Sequence, residues 1–300
     1  MRTAPSLRAR ALIASLRVLR RKQVFADPEK LRESVDSGRR HDREEPPPPA
    51  HRGTAVVRTD VEGTPCYTIR PTAPTSAKHV LYLHGGAYVH QIQSDHWKFA
   101  RRLALRTGGS VTVPVYPLAP GSTAAETVPL IGRIYDRLLG DAEPHSRVLM
   151  GDSAGGALSL VLAERLRDAN EPQPKEIVLL SPWLDATLTH PSLPALDRLD
   201  PYLSVPGLAE AARLYAGGLP LDDPWLSPVN GKLTGLGRLS LFAGTRDVLL
   251  ADARRFRTVT AERGIDLEYW EYEGMIHAWM LTTLREARDA TRRIAHLVLR

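Results

Sequence analysis

The chain has 300 residues, 43 % hydrophobic and 25 % charged, which is enough to bury a large core within one domain of ordinary size. Its single cysteine, Cys66, excludes an intrachain disulfide and any paired-cysteine metal site, and it fits a reducing, cytoplasmic setting. The formal net charge of +6 is local: Arg2, Arg8, Arg10, Arg17, Arg20, Arg21 and Lys22 lie in the first 22 residues with no acid among them. Removing those seven leaves the remainder at −1, which argues against a nucleic-acid partner.

The basic N-terminus is not read as a secretory signal. Its uncharged stretch from Ala11 to Leu16 is shorter than the roughly 7–15 apolar residues such a signal needs. Leu12, Leu16 and Leu19 recur at helical spacing with arginines on other faces, so an amphipathic helix is expected. The alternatives for this segment are a membrane-surface helix or a disordered basic tail. No apolar run approaches the ~20 residues of a transmembrane helix. Asp27-Pro28-Glu29 signals a second helix start, with Leu31 and Val35 on one face and Gly38 ending it. Pro46 to Pro49 is a stiff spacer. This divides the chain into an N-terminal segment, 1–50, and a catalytic domain, 51–300.

Residues 55–58 and 66–69 read as a leading antiparallel pair. Strands and helices then alternate: strand 80–84, helix 96–107, strand 110–116, helix 124–139, strand 147–151, helix 154–169 and strand 176–181. Such alternation predicts an α/β fold, a mostly parallel central sheet with helices on both faces. Between 182 and 224 the alternation stops in a Pro-, Leu- and Asp-rich stretch with a helical run at 207–215, which reads as an inserted lid. It resumes at Arg238 and closes with a helix over 281–299.

The chemistry-bearing residues follow strands. Gly151-Asp152-Ser153-Ala154-Gly155-Gly156 contains G-x-S-x-G between a strand and a helix, where a sharp turn exposes the Ser153 hydroxyl. An ordinary helix N-cap would also suit that serine. His84-Gly85-Gly86-Ala87-Tyr88 ends another strand with residues small enough to bring backbone N–H groups close to an oxyanion. Asp247 and His277 each lie just past a strand. Serine is a poor nucleophile until an imidazole takes its proton, and a carboxylate must hold that imidazole in the right tautomer. The order Ser153, Asp247, His277 is that of α/β-hydrolase triads.

Competitors are less well placed. Asp252 falls inside the next helix. Ser181, Asp185 and His190 lack the glycine elbow, and His41, His51, His145 and His296 have no such context. His84 is expected to fix the loop that it begins. No H-E-x-x-H, EF-hand, Walker or dinucleotide pattern occurs, so neither a metal nor a cofactor is expected.

On these motifs the chain resembles the hormone-sensitive-lipase-like, or GDXG, esterases over roughly residues 54–300. G-D-S-A-G-G is matched at 151–156 and H-G-G-G at 84–87 with Ala87 for the third glycine. The family's D-P-L-x-x-D is met by Asp247-Val248-Leu249-Leu250-Ala251-Asp252, without the proline. Ser181-Pro182-Trp183-Leu184-Asp185 resembles a segment of bacterial members. The resemblance implies a serine hydrolase with nucleophile Ser153, acid–base His277, orienting Asp247 and oxyanion donors Gly85, Gly86 and Ala154, with Ala87 a further candidate. It also implies that the N-terminal helices belong to a cap over the site.

The resemblance further implies a small-molecule acyl ester or acetyl amide as substrate. It points to the bacterial acetyl-hydrolases that act in antibiotic biosynthesis. A general short-chain carboxylesterase or lactone hydrolase is the alternative, and a receptor-like protein that only binds a small ligand is the non-catalytic one.

Overall fold

The protein is described from a computed structural model over residues 4–38 and 45–300. Arg2 and residues 39–44, which belong to the expected N-terminal segment, lie outside the described residues. The chain opens with helices α1 (Leu7–Val18), α2 (Gln23–Ala26) and α3 (Pro28–Gly38). Strands β1 (Thr54–Val61) and β2 (Thr64–Pro71) follow as the antiparallel pair, joined by a tight turn at Glu62-Gly63. Then come β3 (His79–Leu83), α4 (Ser94–Thr107), β4 (Ser110–Pro114), α5 (Ala124–Leu139), β5 (Arg147–Asp152), α6 (Ala154–Asp168) and β6 (Glu176–Leu180). The interruption carries α7 (Leu193–Leu199) and α8 (Val205–Ala216), and the chain ends with β7 (Arg238–Arg246), α9 (Leu250–Glu262), β8 (Leu267–Ile276) and α10 (Arg285–Leu299).

One eight-stranded sheet has the order β1-β2-β4-β3-β5-β6-β7-β8. From β4 to β8 every pairing is parallel, while β2 runs antiparallel to both neighbours. Parallel strands covered on both faces read as near-continuous apolar runs. All residues of β5 and β6 are buried accordingly. Alternate residues feed opposite cores. Leu81, Leu149 and Leu179 pack with α5, α6 and α8 residues such as Ile134, Leu162 and Leu208. Val80, Met150 and Leu180 pack with α4 and α10 residues such as Phe99 and Ile294. Truncating one of these leucines to alanine costs about 2–5 kcal/mol.

Several element ends differ from expectation for local reasons. Helix α4 starts at Ser94 because Gln93 and His96 form a reciprocal capping box. Strand β3 stops at Leu83, which leaves His84 off the sheet, and β4 stops at Pro114. Helix α10 begins at Arg285, since Trp279–Leu281 makes a separate 3₁₀ turn. Helix α7 was not expected; Pro194 in its first turn is its start signal.

The N-terminal helix forms, but its buried face is not the expected leucine row. Ala9 and Ile13 are buried, Leu12 and Leu16 are half-buried, and Leu19 lies beyond the helix end and is exposed. Helices α2 and α3 lie on α8: Phe25, Leu31 and Val35 join the core that holds Leu208 and Ala211. Gly207 permits this contact, because any side chain there would enter the Phe25 backbone. Arg32 and Arg213 converge on Glu210, which their hydrogen bonds hold down to about 2.

Candidate active site

Ser153 stands between β5 and α6 with φ +53° and ψ −122°, a backbone strain that a β-strand-to-helix turn of this tightness imposes. It occupies the N-cap position of α6, its carbonyl accepting from Gly156 and Ala157 N–H, but its side chain makes no cap hydrogen bond. Its main chain is held on both sides. Ser153 N–H donates to the Leu180 carbonyl at 2.9 Å, and its carbonyl accepts from Trp183 N–H at 3.0 Å. Gly151 and Gly155 are needed because a Cβ on either would overlap a backbone carbonyl, that of Gly155 and that of Leu83.

The loop after β3 passes beside this turn. Gly86, Ala87 and Tyr88 have consecutive positive φ values of +132°, +53° and +63°. The Gly86 carbonyl accepts from Val89 and His90 N–H groups, which closes the loop on itself. His84 is fully buried and stacks on Tyr116 with ring centroids 4.3 Å apart. Burial, together with nearby His96, lowers its pKa to about 4, so the neutral ring donates from Nδ1 to the Gly85 carbonyl at 2.7 Å. His84 therefore braces the loop from within.

Gly85 is a correction to the expected donor set. Its N–H donates to Asp152 Oδ1 at 3.0 Å and is committed to the scaffold. The N–H groups of Gly86, Ala87 and Ala154 have no such partner among the described residues. Asp152 is the hub of this brace. Oδ1 also accepts from Tyr82, and Oδ2 lies 3.5 Å from His96 Nε2. His96 Nδ1 accepts from Gln93 N–H at 3.0 Å, so the proton on Nε2 faces the carboxylate. Burial alone would raise the Asp152 pKa; His96, Tyr82 and His277 together outweigh it and hold it below the usual carboxylate range.

Asp247 and His277 follow β7 and β8 and meet at the carboxyl edge of the sheet. Asp247 Oδ2 accepts from His277 Nδ1 at 2.9 Å, and its Oδ1 accepts from Leu249 N–H at 2.9 Å. Both residues are buried. With Nδ1 donating, Nε2 is left as a proton acceptor. Burial lowers the imidazole pKa, but Asp247, with Asp200 and Asp152 further off, raises it by more, so the net shift is upward.

Ser153, His277, Asp152, Gly86 and Ala87 line one cavity of about 510 Å³. The insertion contributes Tyr202, Leu203 and Leu208 to it, and the N-terminal segment contributes Leu12, Leu16, Arg21, Val24, Phe25 and Ser34. Ser34 Oγ bonds His90 Nε2 at 3.1 Å, and Phe25 meets the His90 ring edge-on at 5.9 Å.

The competing residues are occupied elsewhere. Ser181 Oγ accepts from Ala278 N–H, Asp185 pairs with Arg255, and His190 bonds Ser192. Asp252 does more than the sequence indicated: it is buried, and its Oδ2 accepts from Leu184 and Asp185 N–H groups, both at 3.0 Å.

Asp200 was missed altogether. Its Oδ1 accepts from Tyr202 and Leu203 N–H and its Oδ2 from Val248 N–H at 2.9 Å, tying the insertion to the loop of Asp247. Burial, then the proximity of Asp247, raises its pKa. The only sequence cue was the turn signal Asp200-Pro201.

A family model described as the alpha/beta hydrolase fold matches residues 80–281. The chain belongs to the α/β-hydrolases. This α/β-hydrolase is 32 % identical over 212 residues to an acetyl-hydrolase of Streptomyces hygroscopicus, covering 70 % of this chain and 71 % of that protein. It is 30 % identical over 242 residues to the esterase LipU of Mycobacterium tuberculosis, covering 75 % and 79 %. A crystal structure of an esterase from the bacterial hormone-sensitive lipase family aligns with a TM-score of 0.83 at 29 % identity, over 99 % of both chains. The α/β-hydrolase is thus a serine hydrolase of the esterase and lipase type, acting on carboxylic esters. Among its described residues no helix is long and apolar enough to cross a membrane.

Proposed function

We propose that this hydrolase removes a short acyl group, acetyl best, from a small molecule through an acyl-enzyme on Ser153. The observation that carries the reading is the 2.9 Å Asp247–His277 bond beside a strained serine in one cavity. His277 Nε2 takes the Ser153 proton as Oγ bonds to the carbonyl carbon. The resulting oxyanion is held by the N–H groups of Gly86, Ala87 and Ala154, each such donor being worth roughly 2.7–4 kcal/mol of barrier. His277 then protonates the leaving oxygen, the acyl–oxygen bond breaks, and water repeats the sequence to free the acid.

The preference for a small acyl group is supported by the Ala87 methyl, which lines the cavity at φ +53° where the family's glycine has only hydrogen. The neighbouring Tyr88 is immobilised by a parallel stack on Tyr215, centroids 3.8 Å apart. Resemblance to an acetyl-hydrolase points the same way. Helices α1–α3, together with α8 and the segment before it, serve as the cap that confines the rest of the substrate, since both groups line the cavity. Deacetylation of an antibiotic precursor, at oxygen or nitrogen, is the specific form of this reading.

The test is kcat/KM for C2, C4, C8 and C12 esters of one alcohol, with the matched N-acetyl amide alongside. Acetate should lead, since one methylene in a confined apolar pocket is worth roughly 1–3 kcal/mol. A maximum at C8 or longer rejects the acetyl preference and leaves the triad untouched.

A further inference from the structure

Helix α1 is apolar on two opposite sides. Its inner side seats Ala9 and Ile13 in the core and presents Leu12 and Leu16 to the active-site cavity. Its outer side carries Leu7, Ala11, Ala14 and Val18, spaced i, i+4, i+7, i+11, a single stripe on an α-helix. All four are exposed, Leu7 by 78 % and Val18 by 80 %, and Leu19 just beyond is 63 % exposed.

The stripe is bordered by cations that the tertiary structure adds to. Arg8, Arg10 and Arg17 flank it on the helix. Arg246, from the end of β7, lines a crevice with Arg10, Arg17 and Val18, and Arg198, from α7, lines another with Arg17, Arg20 and Lys22. Of these, Lys22 pairs with Asp197. Arg8, Arg10, Arg17, Arg20, Arg198 and Arg246 make no ion pair with a described residue. Asp200, the acid in that second crevice, is buried and occupied by backbone N–H groups.

We propose that the outer face of α1, with Arg198 and Arg246, docks this enzyme onto an anionic lipid surface. Exposed leucine and valine between unpaired arginines suit the headgroup–acyl boundary, where the apolar stripe sinks in and the guanidinium groups meet phosphates. A nucleic acid would use the cations and leave Leu7 and Val18 in water. Because Leu12 and Leu16 line the cavity from the same helix, docking sets the cavity wall one helix diameter, about 10–12 Å, from the lipid. Esters partitioned into the surface would then enter beside α1. The docking does not depend on the acyl preference proposed above.

The experiment is flotation of the full chain with vesicles of phosphatidylcholine alone or with about 30 % phosphatidylglycerol, at low and high salt. Binding should be at least about tenfold tighter to the anionic vesicles and weaken with salt. The pair Leu7→Glu and Val18→Glu should lower it by about tenfold or more and leave hydrolysis of a water-soluble acetate ester unchanged. If that pair misfolds, Arg198→Ala with Arg246→Ala should lower anionic binding several-fold by charge alone. No flotation with anionic vesicles, equal binding to both compositions, or binding that ignores both pairs of substitutions overturns the proposal. So does a concentration-dependent dimer that Leu7→Glu abolishes without any vesicle binding, which would assign the stripe to a second copy, or tighter binding to duplex DNA than to vesicles. A chain that floats but leaves soluble esters uncleaved would instead refute the hydrolytic reading of Ser153.

Discussion

Asp152, the residue before the candidate nucleophile, holds Gly85 N–H at 3.0 Å from the other side of the site. One carboxylate thereby sets the distance between the Ser153 turn and the glycine loop, two segments 67 residues apart in sequence. Replacing it with alanine removes the acceptor for Gly85 and Tyr82 and the partner of His96. Asp152→Ala should lower kcat by about 10–10³-fold with a smaller effect on KM, since misplaced oxyanion donors act on the transition state. Asp152→Asn keeps a carbonyl acceptor and should recover part of that loss. Equal kinetics for wild type and Asp152→Ala would separate the brace from catalysis.

Ser153→Ala should fold with an unchanged melting temperature and lose ester hydrolysis by several orders of magnitude, on the order of 10⁴ or more. A fluorophosphonate should label the wild type at Ser153 and leave the variant unlabelled. Residual activity within about tenfold of wild type would reject the nucleophile.

The two acids of the 247–252 segment should separate cleanly. Asp247→Asn reverses the tautomer control of His277 and should cost on the order of 10⁴ in kcat. Asp252→Asn should be mild, because one side-chain oxygen receives both backbone N–H groups and asparagine retains one. Asp252→Ala leaves those donors unpaired and should destabilise the fold by roughly 1–3 kcal/mol each, read from denaturant melts.

The pH profile follows from His277. As the proposed base, His277 must be neutral in the free enzyme, and its pKa is raised, so kcat/KM should fall on the acid side with a midpoint above the roughly 6.5 of a free histidine. In Asp247→Asn the main raising influence is gone and burial remains, so the residual activity should titrate at lower pH. An acid limb that does not move on this substitution would place the titration elsewhere.

Leu16→Trp should narrow the cavity from the N-terminal side. Acetate esters of a small alcohol should change by less than about threefold, whereas bulky esters should lose about tenfold or more in kcat/KM. This variant is cleaner than removing α1–α3, because Phe25, Leu31 and Val35 are buried against α8 and deletion would expose that core.

Cys66 is buried, and burial pushes its thiol up to about 12. The native protein should therefore resist a disulfide reagent at pH 8 and react fully once unfolded. Rapid native labelling would show that β2 opens readily.

The alternation of apolar runs and the glycine spacing were enough to place Ser153, Asp247 and His277 at strand ends, because a parallel sheet puts every such end on one edge. They were also enough to find the core strands along the chain, since strands buried on both faces announce themselves as apolar runs, but not the order β4-β3-β5 in which the sheet pairs them. Three things depended on the folded chain. Which backbone N–H groups are uncommitted turned on Asp152 reaching Gly85, a contact made across the sheet rather than along the chain. Asp200 acquired its place beside Asp247 only when the insertion folded back over the site. The double-sided character of α1 was invisible in its sequence, where Leu12, Leu16 and Leu19 looked like one face. Local spacing fixes a helix's period, but the core it meets decides which side is buried, and here Ala9 and Ile13 won that contact and left Leu7 and Val18 to the outside.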